Sequence, residues 1–150
     1  MIATTPGYDV VFLIHILSAV AVLAVLITLR FAAKAAATNA PVEKLKKAFP
    51  VRTNWGARIL HLMPITGAFL VAQGTSADSM SKPWVGVGLA CYILAAGHME
   101  ARTLPMERKI AKAVASDGAV PTELSKKFAL NVDVLLSLIA VAFIAMIVQF

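Results

Sequence analysis

The sequence predicts an all-α protein, an integral membrane four-helix bundle of up-and-down topology with both termini outside and two basic cytoplasmic connections. Three observations carry this. The chain has 150 residues, enough for one domain, and is 59% hydrophobic and 15% charged, against about 45–50% and about 25% for an average soluble domain. Four long apolar runs divide it, near 10–30, 55–73, 84–100 and 130–150. Thirteen of the fourteen Lys and Arg residues fall in two stretches at or between those runs. Arg30, Lys34, Lys44, Lys46, Lys47, Arg52 and Arg58 form the first group, and Arg102, Arg108, Lys109, Lys112, Lys126 and Lys127 the second, with Lys82 elsewhere. This is the positive-inside pattern, and it sets the direction of every span.

The first run, VVFLIHILSAVAVLAVLITL, is long enough to cross roughly 30 Å of hydrocarbon. Tyr8 marks its outer boundary and Arg30 its inner one, and the Ala-rich continuation extends the helix to about Ala37. Nothing basic precedes the run, and it is too long for the apolar core of a cleavable signal, so it is expected to stay as an anchor. Asn39-Ala40-Pro41 reads as a stop and restart, with Pro41 and Glu43 suited to a new first turn. The segment 41–49 then places Val42, Leu45 and Phe49 on one face, away from most of its lysines, which predicts a short helix lying on the inner membrane surface.

The second run contains Arg58, His61 and Pro64. Pro64 cannot donate to the carbonyl of Leu60, which predicts a kink near His61. Gly67, Ala68 and Ala72 offer a small-residue face. A polar loop over 74–83 lacks basic excess and belongs outside. The third run has Gly86, Gly88 and Ala90 as a second small face. Its helix is expected to continue through His98 and Glu100 and on through MEARTLPMERKIAKAVA, bending at Pro105, until Asp117-Gly118 turns the chain. Thr122 is the expected N-cap of the last helix.

The net charge of +6 could point to nucleic acid, but the cations flank apolar runs, where they meet anionic lipid headgroups. Interleaved aromatics and a basic domain face are missing. Cys91, the one cysteine, allows neither an internal disulfide nor a cysteine-based metal cluster, and it reads as a small packing residue.

Ionisable groups within spans are the places to look for chemistry. His15 lies in the outer half of the first span, alone, and is expected to bond to a backbone carbonyl or a nearby hydroxyl such as that of Ser18. Arg58, His61, His98, Glu100, Asn131 and Asp133 all map to the inner third of spans two to four. Three readings of that cluster compete. The first is a structural network in which Arg58 pairs with Glu100 or Asp133, because polar groups in apolar surroundings need partners. The second is haem b held axially by His61 and His98, which share a leaflet. The third is a proton or metal relay through His61, His98, Glu100 and Asp133. No nucleophile elbow, phosphate loop, zinc-protease motif or dinucleotide fingerprint occurs, so no catalytic residue and no dedicated metal site is assigned.

The layout resembles a bacterial family of four-helix integral membrane proteins of unknown function. The residues that carry the resemblance are VVFLIHILSAVAVL with its early His, GAFLVAQG in the second span, Trp84 after the outer loop, the basic VPTELSKKF and the apolar end IAMIVQF. More distantly, His15 is similar to the first-span His of HemJ-type protoporphyrinogen oxidases and CopD-type copper proteins. The HemJ pattern also places a Lys in the membrane, and here no Lys lies within a span. The combined expectation is a non-catalytic subunit of a larger complex of the bacterial plasma membrane, a respiratory complex being the favoured kind. It would meet anionic headgroups and other membrane subunits and carry no cofactor of its own. A haem-binding redox protein with His61 and His98 as ligands is the alternative.

Overall fold

The computed structural model describes residues 7–38, 40–73 and 81–149. They form helices and connecting turns, with no strand among them. Four helices are long and apolar enough to cross a membrane: α1 (Tyr8–Ala37), α3 (Trp55–Gln73), α4 (Pro83–Asp117) and α5 (Thr122–Val148). The chain is a multi-pass membrane protein. A short helix, α2 (Val42–Ala48), stands between the first two. The expected outer loop falls mostly on residues 74–80, outside the described residues.

Each long helix packs on the next, and α5 returns to α1. The seams explain why. On α1 the buried positions include His15, Ser18, Val22, Leu26, Leu29, Ala33 and Ala36. On α5 they are Ser125, Phe128, Val132, Leu135, Ile139, Ala142 and Ala145. Both sets step mostly by alternating threes and fours, the 3.5-residue repeat that keeps one stripe facing a near-parallel neighbour. The opposite faces stay apolar. Leu17, Val20 and Ile144 are each 59% exposed, a surface that suits lipid and would be costly in water.

Both prolines inside the long helices disturb them one turn upstream. A proline lacks an N–H and its ring presses on the carbonyl four residues earlier. For Pro64 that carbonyl belongs to Leu60, and residues Ile59–His61 tighten into a 3₁₀ turn at the place where the kink was expected. For Pro105 it belongs to Ala101, and Met99–Thr103 widen into a π turn. The disturbance therefore precedes Pro105 instead of sitting on it, and α4 carries on to Asp117. Gly118 ends it in the left-handed region at φ 68°, where glycine is favoured.

The two basic connections meet at one end of the molecule, here called the basic end. Leu45 and Phe49 are both 1% exposed, and Phe49 meets Phe128 of α5 edge-on, with ring centroids 5.6 Å apart. The buried face of α2 is thus docked on the protein, against α1 and the extension of α4. Ile110, Ala111 and Val114 of that extension are buried and supply the apolar ground it needs. Thr122 is the first helical residue and makes no side-chain cap. Pro121 holds the N-cap position, and the carbonyl of Thr122 accepts from Ser125 Oγ at 2.8 Å.

Candidate functional site

The two proline-induced distortions face each other, and the polar cluster sits on them. Arg58 immediately precedes the 3₁₀ turn, and His61 closes it. Glu100 lies in the π turn. Arg58 Nε is 3.2 Å from Glu100 Oε1, with the two side chains 31% and 39% exposed. Arg58 Nε has no directed hydrogen bond, so the contact is an ion pair. The guanidinium also stands over the Trp55 ring, 5.2 Å from its centre, a cation–π arrangement. His61 is hydrogen-bonded at one nitrogen and lies near Glu100 with the other. Nδ1 is 3.1 Å from the carbonyl oxygen of Arg58, and Nε2 is 3.8 Å from Glu100 Oε1.

The other members of the expected cluster go elsewhere. Asp133 pairs with Arg30 of α1, Oδ1 to Nε 2.7 Å, and not with Arg58. The packing of α5 on α1 turns that face of α5 toward the basic end of α1. Asn131 Nδ2 donates to Met106 Sδ at 3.5 Å. Among the described residues, His98 Nε2 is buried without a hydrogen-bond partner, as is Thr103 Oγ1. No polar contact joins His98 to His61 among the described residues. No group of three or more His, Cys, Asp or Glu side chains is placed to hold a metal ion among them.

His15 is buried and set apart from this cluster. Its Nδ1 is 2.7 Å from Thr66 Oγ1 on α3. The Thr66 hydroxyl can donate to the carbonyl of Leu62, 2.7 Å away, and in that arrangement it accepts from the imidazole N–H. A backbone carbonyl or a nearby hydroxyl such as that of Ser18 was expected, and the partner is the hydroxyl of Thr66. It comes from the facing helix because α1 and α3 pack closely at Gly67, where an added Cβ would stand 3.4 Å from His15 Cε1. His15, Met63, Gly67, Leu89 and Met146 line a cavity of about 40 Å³.

No family model, curated protein or solved structure matches this chain. The site is therefore read from its own geometry.

That geometry includes a polar contact that the sequence reading missed. Asn54 caps α3, its Oδ1 accepting from Ala57 N at 3.0 Å. Its Nδ2 donates to both carboxylate oxygens of Glu107, at 3.0 and 3.2 Å. Glu107 is only 8% exposed and lies on the amphipathic extension of α4, beyond the apolar run. Burial pushes its carboxyl pKa up, against the opposing pull of the Asn54 hydrogen bond and the nearby Arg108 charge. A signal was present. Leu104, Glu107, Ile110, Ala111 and Val114 share one helix face, and an acid on an otherwise apolar face calls for a buried partner.

Of the small-residue faces, only one position on each is used within the molecule. Gly67 receives His15, and a Cβ at Gly88 would stand 2.5 Å from Met146 Cε. Ala68, Ala72, Gly86 and Ala90 are exposed.

Proposed function

We propose that this is a non-catalytic multi-pass protein of the bacterial plasma membrane, an accessory or structural subunit of a larger complex. In this reading the four spans run up and down, with both termini outside and the basic end in the cytoplasm. The assembly we favour is respiratory. The orientation is supported by the sorted cations. The function is carried by one observation, that three polar pairs in and beside the spans each tie one helix to another. Arg30–Asp133 joins α1 to α5, Arg58–Glu100 joins α3 to α4, and His15–Thr66 joins α1 to α3. Groups arranged to hold helices together serve a scaffold. The outward-facing small residues Gly86, Ala90, Gly97 and Ala101 on α4 support a partner helix, because small residues let helix backbones approach in lipid. The resemblance to a four-helix membrane family without an assigned activity agrees with this.

The test is purification in mild detergent with identification of what accompanies the chain. A stoichiometric partner is expected. Gly86 has open space beside it, so Gly86→Leu should leave the isolated protein's thermal stability unchanged while reducing recovery of the partner. Recovery of the chain alone, unaffected by the variant, would sink the subunit reading.

A second reading, haem b between His61 and His98, draws on the buried, unpartnered Nε2 of His98. It requires His61 to turn a nitrogen from Glu100 or from the Arg58 carbonyl toward iron. A Soret band lost in both His61→Ala and His98→Ala would favour it, and a colourless complex would remove it.

A further inference from the structure

Beside the Asn54–Glu107 contact the structure opens a groove of about 670 Å³. One wall is the end of the apolar run of α1, with Leu29, Phe31 and Ala32. The facing rim carries Lys44 and Lys47 of α2 and Arg52 of the following turn. These cations differ from their neighbour Lys46, which is 3.4 Å from Glu43 Oε1. Lys44, Lys47 and Arg52 have no ion-pair partner among the described residues. The one carboxylate among the described lining residues is Glu107, and it is already bonded to Asn54. Three cations against one carboxylate leave the groove positive even when Glu107 is ionised.

The apolar side is equally exposed. Phe31 is 68% and Trp55 71% accessible, and both line the groove. They stand at the boundary of an apolar span, where aromatic rings anchor at the membrane–water interface. The groove is therefore amphipathic along its length. Its cations lie on α2 and the turn after it, and its apolar wall leads back along α1 into the span through Leu29 and Thr28.

We propose that this groove seats one anionic glycerophospholipid, its phosphate held by Lys44, Lys47 and Arg52 and its acyl chains laid on Phe31 and Trp55. The inference rests on the membrane reading above and goes beyond general attraction of a basic surface to lipid, because it names one site with one lipid. A soluble phosphate compound would share the cationic rim but have no use for the exposed aromatic wall.

The experiment uses the full chain, purified in mild detergent, stripped of lipid and placed in bilayers of phosphatidylcholine with a minor share of phosphatidylglycerol. Native mass spectrometry then counts retained lipid. One phosphatidylglycerol per chain is expected. The combined Lys44→Gln, Lys47→Gln and Arg52→Gln variant should lower its retention by about a hundredfold, each cation near a lipid surface contributing a factor of about five. A control with Lys34→Gln, Lys109→Gln and Lys127→Gln removes the same charge elsewhere and should keep the lipid. Phe31→Gln, at an exposed position, should also weaken retention, which separates a lipid from free phosphate. Equal loss in the control, equal retention of phosphatidylcholine, or displacement by millimolar inorganic phosphate would each overturn the proposal. Failure of the unmodified chain to resist carbonate extraction from the bilayers would overturn the membrane reading instead, and is read before any lipid is counted.

Discussion

The basic end and the opposite half of the molecule are held together by different physics. At the basic end, α2, the extension of α4 and the first turns of α5 lie beyond the apolar runs. Leu45, Phe49, Ile110, Val114 and Phe128 are removed from water there, so burial itself drives the packing. In the other half the surroundings are lipid, and a buried Ile139 or Leu135 gains no transfer energy over an exposed one. Close van der Waals contact and a few interhelical polar ties remain. The polar contacts follow the same division. Partly exposed ion pairs gather toward the basic end, and one buried histidine–hydroxyl contact serves the other half. The lesson is that the basic end is more than a charged fringe that sets topology. It contains a small water-driven core of its own.

The largest effect should separate these two regimes. Phe128→Ala empties a fully buried aromatic site against Phe49 and should cost about 3–5 kcal/mol, the usual range for a buried Phe. Ile139→Ala, equally buried but inside the span, keeps only the cavity part of such a penalty and should cost distinctly less. Thermal unfolding followed by circular dichroism in detergent measures both. Equal losses would show that one kind of packing runs through the whole molecule.

Much of this division could be read from the sequence, and some could not. The spans were legible because apolar stripes at helical spacing and sorted cations are local properties. Pro64 marked the distortion at His61 for the same reason. The Arg58–Glu100 contact was legible as one of two choices, since depth alone placed both groups in one layer. Choosing between Glu100 and Asp133 needed the rotation of α5 about its axis, which is set by packing on α1. The burial of Leu45 and Phe49 on α1 and α4 was not legible, because an amphipathic face does not name what covers it. Glu107 was overlooked inside the charged run MERK, although its place on the apolar face of its own helix marked it. The direction of the Pro105 disturbance, a widening where Pro64 gives a tightening, has no local sequence signal that we can identify.

The next effect concerns the ties at the distorted turns. Arg58→Gln and Glu100→Gln, singly and together, form a cycle whose coupling should be about 1 kcal/mol, modest because both side chains are about one-third exposed. The same cycle on Arg30 and Asp133, at 45% and 46% exposure, should give less. Unfolding midpoints of the four variants in each cycle supply the coupling. A larger value for Arg30–Asp133 would mean that lipid, and not water, surrounds that pair, which would move the boundary between the two halves toward the basic end.

The smallest effect is expected in the half that lipid surrounds. Thr66→Val keeps the shape of the side chain and removes only the hydroxyl that meets His15 Nδ1. In water-soluble proteins a buried group left without its partner costs about 1–3 kcal/mol. Interhelical hydrogen bonds in membranes average about 0.6 kcal/mol, because the separated helices also find partners. The variant should therefore lose about 0.6 kcal/mol, and Thr66→Ser, which restores the hydroxyl, should recover most of it. The small size is the informative part. The His15 ring is also held by packing against Gly67, so its position should survive the loss of the bond, and the ring should still line the cavity between the helices. A loss of several kcal/mol, unrecovered by Ser, would mean instead that the methyl contact of Thr66 or a wider polar network holds α1 to α3, and that the half away from the basic end is not the simply packed region described above.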